Sequence, residues 1–140
     1  AESMDKRLLD ILNDSIAREL GATVQYMWQH VMVKGMESPE IAEIFKKTSI
    51  AEMKHAEKFA ERLDYFNGVP TTIPTKIQVG GDTKKMLQDD VAIEREAIAL
   101  YKKAIKLCQE LDDPVTRLMY EEILTQEEDH EYTLNTVLGK

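Results

Sequence analysis

Glu52-Met53-Lys54-His55 is a Glu-x-x-His, and its two ends stand about one helical turn apart, so on a helix both side chains share a face. The same spacing returns in Glu127-Glu128-Asp129-His130. A shift of 75 residues superposes the two motifs, and with them Glu19 on Glu94, Tyr26 on Tyr101, Leu12 on Leu87, Pro39 on Pro114 and Phe45 on Tyr120. Such self-similarity marks an internal repeat, and two copies make a pseudo-symmetric domain rather than a solenoid. Each Glu-x-x-His is then half of a metal site.

The runs around these motifs have helical periodicity. A first helix is predicted over about 4–34, with Leu8, Leu9, Leu12, Ile16, Leu20, Thr23, Met27 and Val31 recurring at helical spacing and Glu19 placed among the core-facing positions. Gly35 marks its stop. Ser38 reads as the N-cap of a second helix over about 39–67, with Pro39 at its first position. Its inner face carries Ile41, Phe45, Thr48, Glu52, His55, Phe59, Leu63 and Phe66, and Asn67-Gly68 closes it. A third helix, over about 82–111, begins at the N-cap Asp82 and carries Met86, Leu87, Val91, Glu94, Ile98, Tyr101, Ile105 and Cys108 on one stripe. A fourth, over about 114–138, follows Asp112-Asp113-Pro114. Residues 68–82 have no helical pattern and contain two prolines and three glycines. Extended, they reach about 50 Å, and a helix of about 28 residues is about 42 Å long. A connection of that length suits a crossover between parallel helices 2 and 3, giving hairpin, crossover, hairpin.

At 140 residues the chain fits one domain, 1–140, with a substantial core. Its 43% hydrophobic and 31% charged residues do not suit disorder, and no apolar run approaches the roughly 20 residues of a bilayer span. The net charge of -8 argues against nucleic acid and suits cations. With Cys108 the one cysteine, neither an intrachain disulfide nor a cysteine-ligated metal centre within one chain is available. The N-terminal residues lack the apolar segment of a secretory signal, so a cytoplasmic location is expected.

One glutamate from each of two helices plus a Glu-x-x-His from each of the other two is the ligand recipe of di-iron and di-manganese carboxylate bundles. The expected metal ligands are Glu19, Glu52, His55, Glu94, Glu127 and His130, with Glu52 and Glu127 bridging two ions and Glu19 and Glu94 each capping one. Four buried carboxylates carry four negative charges, which two divalent ions would cancel, so metal is expected to be close to obligatory. Hard oxygen donors with one imidazole per ion suit iron or manganese. Two adjacent ferrous ions can pass two electrons together to dioxygen or peroxide. The two motifs each follow a glutamate by 33 residues, which makes the set far more specific than a single Glu-x-x-His.

On these residues, together with Met86-Leu87-Gln88-Asp89-Asp90 and the crossover into Gly81-Asp82, the chain resembles the bacterioferritins of the ferritin-like superfamily. The resemblance implies a ferritin-like four-helix bundle and a ferroxidase centre in each subunit. Ferrous iron would be oxidised there with dioxygen or hydrogen peroxide and stored as the ferric product inside a hollow homo-oligomeric shell. It also implies that Met53 ligates haem b across a two-fold axis. Met53 is about 100° around the helix from Glu52 and so points away from the interior; the plainer reading is a methionine packed in a dimer interface. Bacterioferritins end in a short fifth helix, which is not expected here, so a homodimer is the first expectation and a shell of 12 or 24 subunits stays open. A rubrerythrin-like peroxide-scavenging di-iron enzyme is the nearest alternative, although Ala97 stands where rubrerythrins add a glutamate. A metal-free scaffold or partner-binding module is a third.

Tyr26 and Tyr101 lie two turns after Glu19 and Glu94, and Tyr26 is expected to hydrogen-bond a ligand; for Tyr101 a plain core role is equally open. His30 reads as a polar residue near the end of the bundle, Trp28 as a packing or interface residue, and Cys108 as a small core residue. Glu121, Glu122, Glu128, Asp129 and Glu131 form an acidic run that reads as a solvated face.

Overall fold

The computed structural model describes residues 5–140, so the first helix's expected start at Met4 lies outside the described residues. Four helices follow one another: α1 (Lys6–Met32), α2 (Ser38–Tyr65), α3 (Thr83–Glu110) and α4 (Pro114–Val137). There is no strand among the described residues.

Local chemistry sets most of the helix ends. The carboxylates of Asp5, Asp82 and Asp113 accept from the backbone N–H groups of Arg7, Lys85 and Thr116, satisfying donors that the first turns leave unpaired. The start of α2 departs from expectation. Ser38 is the first helical residue and Glu37 the N-cap, without a side-chain cap bond, and Pro39 follows within the first turn, where its missing N–H costs nothing. At the far end of α2, Asn67 adopts φ 64° and the Gly68 N–H returns to the Leu63 carbonyl at 2.9 Å. Asp112 plays the part of Asn67 at the end of α3, with φ 55° and the Asp113 N–H on the Cys108 carbonyl at 2.9 Å.

The four helices form a bundle in which α1 packs on α2 and α3 packs on α4, with α1 also meeting α3 and α2 meeting α4. The long connection climbs α1. Val69 and Thr71 bond the Asn13 side chain, the Thr75 N–H reaches the Ala17 carbonyl at 3.0 Å, the Gln78 N–H reaches Gln25 Oε1 at 2.9 Å, and Thr83 Oγ1 reaches the Lys34 carbonyl at 3.1 Å. Gly21 permits this approach, since a Cβ there would fall 2.5 Å from Thr75 Oγ1. Crossing from one end of the bundle to the other makes α2 and α3 parallel.

Two apolar clusters fill the interior. One gathers Leu8, Leu12, Phe59, Leu63, Tyr101 and Tyr120, and the other Tyr26, Phe45, Met86, Leu87, Val91 and Leu134. Their segregation leaves a polar layer between them, where every charge must find a partner. The core stripe of α1 differs from the sequence expectation in its second half. Met27 and Val31 are exposed and Ala22, Gln25, Tyr26 and Gln29 are buried instead. Met27, Trp28, Val31 and Met32, with Ile50 and Met53 of α2, therefore leave the outer faces of the first hairpin unusually apolar.

Candidate metal centre

The polar layer is built from one glutamate on each helix, joined on α2 and α4 by a histidine one turn on. Glu19, Glu52, Glu94 and Glu127 are all fully buried, and His55 and His130 stand one turn after Glu52 and Glu127. The six expected ligands form two overlapping groups, Glu19, Glu52, His55 and Glu127, and Glu52, Glu94, Glu127 and His130, with the ligand atoms of each group within 4.8 Å of one another. Glu52 and Glu127 belong to both. That is the arrangement two bridging carboxylates require.

Both imidazoles turn Nδ1 inward. His130 Nδ1 lies 2.8 Å from Glu127 Oε1 and 3.4 Å from Glu94 Oε2. His55 Nδ1 lies 3.1 Å from Glu52 Oε1, and these two buried atoms have no hydrogen-bond partner, as expected of donors aimed at an ion. The other nitrogen of His55 is anchored, with Nε2 2.6 Å from Gln126 Oε1, a contact that favours the tautomer leaving Nδ1 free to ligate. The donor set of carboxylate oxygens with one imidazole per group thus fits a pair of hard or borderline divalent ions.

The tyrosines cross between the repeats. Tyr26 of α1 donates its hydroxyl to Glu94 of α3 at 2.6 Å, the ligand contact expected of it, and Tyr101 of α3 donates to Glu19 of α1. Tyr101 is therefore more than a core residue. Burial, with these carboxylates alongside, pushes both phenols well above their usual range, so they remain protonated donors. His30 bonds the Ala42 carbonyl at 2.7 Å away from the cluster, and Cys108 is buried in the core. Met53 is half-exposed on the outer face of α2.

Arg18 was not among the expected site residues, and it changes the electrostatics. Its guanidinium, 5% exposed, stands among all four carboxylates: Nη1 contacts Glu52, Glu127 at 2.6 Å and Glu19 at 3.2 Å, and Nη2 contacts Glu94 at 2.8 Å. The expectation that metal is close to obligatory is corrected by this contact, because the layer carries its own cation. Burial alone would lower the pKa values of His55 and His130. The surrounding carboxylates overrule it, Glu127, Glu19 and Glu52 pushing His55 up to about 12 and Glu127 and Glu94 pushing His130 up to about 10. Burial and three neighbouring carboxylates hold the Glu127 carboxyl well above its ordinary value, against the pull of Arg18. Glu19 goes the other way, since Arg18 and His55 outweigh its burial and lower its pKa. Arg18 and the two imidazolium rings thus offset much of the negative charge of the four acidic groups.

Arg18 left a signal in the sequence. With Ile11, Ser15, Ala22, Gln25 and Gln29 it forms a stripe on α1 that contains no other charge, and all six are buried. Gln25 in turn donates to the buried Asp90 at 2.8 Å, a second internal polar pair beside the layer. Gln126 had no comparable signal, being one more polar residue on an exposed face.

The comparisons with known proteins agree with this geometry. Residues 9–140 match the family model described as a ferritin-like domain. A bacterioferritin of Desulfovibrio desulfuricans is 35% identical over 130 residues, covering 92% of this chain and 73% of its own length. One from Brucella melitensis is 31% identical over 135 residues, 96% of this chain and 84% of its own. Among solved structures, the Desulfovibrio desulfuricans bacterioferritin, described with its diiron site in different catalytic states, superposes with a TM-score of 0.89 at 34% identity, covering 94% of this chain and 78% of that one. A mycobacterial bacterioferritin superposes with a TM-score of 0.93 at 32% identity, covering 99% and 86%. The chain belongs to the ferritin family, as a bacterioferritin-like four-helix protein.

Proposed function

We propose that the chain is a ferroxidase that holds two iron ions at Glu19, Glu52, His55, Glu94, Glu127 and His130 and serves iron storage and detoxification. The observation that carries this reading is the pair of overlapping four-ligand groups sharing Glu52 and Glu127. The bacterioferritin relatives, one of them solved with a diiron site, support it. Two ferrous ions bound side by side would supply two electrons to dioxygen or hydrogen peroxide in one encounter.

The protein's own part is to hold and to shield. Tyr26 and Tyr101 fix the rotamers of Glu94 and Glu19, and Gln126 fixes the ring of His55. The apolar clusters cover the layer on two sides. Ligands must be deprotonated to bind a cation, so His55 and His130 would release protons as iron enters. The half-exposed Met53, with Met27, Trp28 and Ile50 also exposed on the first hairpin, supports self-association into a homodimer in which Met53 would hold haem b. Ferric product would collect inside a larger homo-oligomer in the cytoplasm; no helix among the described residues is long and apolar enough to cross a membrane.

The test is anaerobic ferrous titration followed by separate additions of dioxygen and hydrogen peroxide. The reading expects about two ferrous ions per chain, as the two ligand groups allow, their rapid oxidation, and continued uptake beyond that number. Oxidant consumed with no iron retained beyond the first pair would exclude storage, and no ferrous binding would exclude the reading altogether.

A further inference from the structure

Arg18 and the expected metal ions need the same space. Nη1 and Nη2 touch the four carboxylates of the two ligand groups, and Nη2 also donates to the Ile93 carbonyl at 3.2 Å. A carboxylate oxygen stands about 2.0–2.2 Å from a bound transition metal ion. Two ions bridged by Glu52 and Glu127 would therefore crowd the guanidinium, and all three carry positive charge. Arg18 must leave for the pair to enter.

A place for it adjoins the cluster. Arg18 also lines a cavity of about 220 Å³ between α1, α3 and the crossover, bordered by Gln25, Thr75, Lys76, Gln78, Asp89 and Glu96. A guanidinium displaces the volume of a few waters, at about 30 Å³ each, so the cavity can take it. Glu96 would meet its charge, together with Asp89, which also pairs with Lys85 at 2.7 Å, and these two acids outnumber the one lining cation, Lys76; the polar side chains could accept its N–H groups. Arg18 Nε is buried without a partner, so the side chain is tied at its tip and not along its stem. Only the tip contacts need break.

We propose that Arg18 is the resident counter-cation of the metal centre: it ties the four ligand carboxylates together in the metal-free protein and swings into the cavity between α1, α3 and the crossover when metal binds. The inference rests on the two-metal reading of the cluster. It makes Arg18 a positioning residue that keeps the layer folded without metal and lowers the affinity for metal by the work of exchange.

Cobalt(II) titration of the full, metal-free chain, followed by visible absorption and by thermal melting with and without cobalt, tests it. Arg18→Met should bind cobalt at least about tenfold more tightly than the wild type, since no cation has to be displaced. It should also melt lower without metal and at the wild-type temperature with it, and Arg18→Lys should fall between the two. Ala92→Met, which narrows the cavity from exposed Ala92 and leaves Arg18 intact, should weaken cobalt binding without lowering the metal-free melting temperature. The proposal is overturned if Arg18→Met binds cobalt no more tightly, or if it loses equal stability in both states. It is also overturned if that variant folds in neither state, because Arg18 is given no role in the loaded protein, or if Ala92→Met binds cobalt like the wild type. A wild type that binds no cobalt would instead remove the two-metal reading; two ions in the wild type with an unchanged Arg18→Met would remove only this inference.

Discussion

The α1–α2 hairpin and the α3–α4 hairpin are two versions of one plan, and their differences show which parts of the plan must be doubled. Each supplies one glutamate, one Glu-x-x-His and one tyrosine, and each tyrosine serves the glutamate of the other half. The correspondence breaks at Arg18, which falls on Ile93, and at Gln126, which falls on Ala51. A single guanidinium already reaches all four carboxylates, so the centre has no room for a second. Ile93 contributes only its carbonyl to Arg18. The missing counterpart of Gln126 leaves the two histidines unequal: His55 is anchored through Nε2, whereas His130 makes its polar contacts through Nδ1 alone. The candidate ligands and the tyrosines that hold two of them come in pairs, whereas the buried cation Arg18 and the histidine anchor Gln126 do not.

The largest effects should fall on residues that both ligand groups share. Glu52→Ala and Glu127→Ala should each take iron content, measured by metal analysis after ferrous loading, from about two per chain to well below one, whereas Glu19→Ala and Glu94→Ala should each keep about one. Equal losses from all four would break the comparison. Gln126→Ala should weaken metal binding by about 10–100-fold through the loss of the His55 anchor, as read by competition with a chelator. Ala51→Ser, at the corresponding place beside the other half, should leave affinity unchanged.

Acidity separates the metal-free from the loaded protein. His130 has a folded pKa of about 10 and His55 of about 12 against an ordinary 6.5, so folding favours their charged forms. That stability is complete below pH 6.5 and is lost as pH rises through the folded values. Glu127, also raised, acts in the same direction, since ionisation becomes costly above its ordinary 4.5. The metal-free protein should melt at progressively lower temperature between pH 6.5 and 10, while the iron-loaded protein, its imidazoles already deprotonated, should change much less. A metal-free melting temperature that rises over this interval would contradict the charge balance drawn here. The smallest effects belong to the crossed tyrosines. Tyr26→Phe and Tyr101→Phe should each cost about 1–2 kcal/mol, or roughly 2–6 °C in thermal melting, and by a similar amount if the two halves are equivalent.

The doubled features were the legible ones. A repeat turns two weak Glu-x-x-His spacings into a pattern, and that pattern carried Glu19 and Glu94 with it, while the crossover was legible from the length and the prolines and glycines of residues 68–82. Arg18 escaped because an arginine beside a glutamate on an amphipathic helix ordinarily points to water, and because nothing at position 93 repeats it. Only the lack of any other charge on its stripe marks it as internal. The second half of the α1 stripe was misplaced for a related reason. Met27 and Val31 keep helical spacing with Leu20, but apolar residues also cover the outer face there, so periodicity alone could not choose between the two. The buried choice fell to Tyr26, whose hydroxyl is needed at Glu94, and to Gln25 and Gln29 beside Asp90 and Met86.

The central claim, that the polar layer is a two-iron centre built from both halves, is tested most directly by anomalous diffraction at the iron edge from crystals loaded with ferrous iron. The account predicts two peaks about 3.5–4 Å apart, as in two-metal sites generally. One should lie against Glu19 and His55, the other against Glu94 and His130, with Glu52 and Glu127 between them. A single peak, or two peaks away from these six residues, would contradict it.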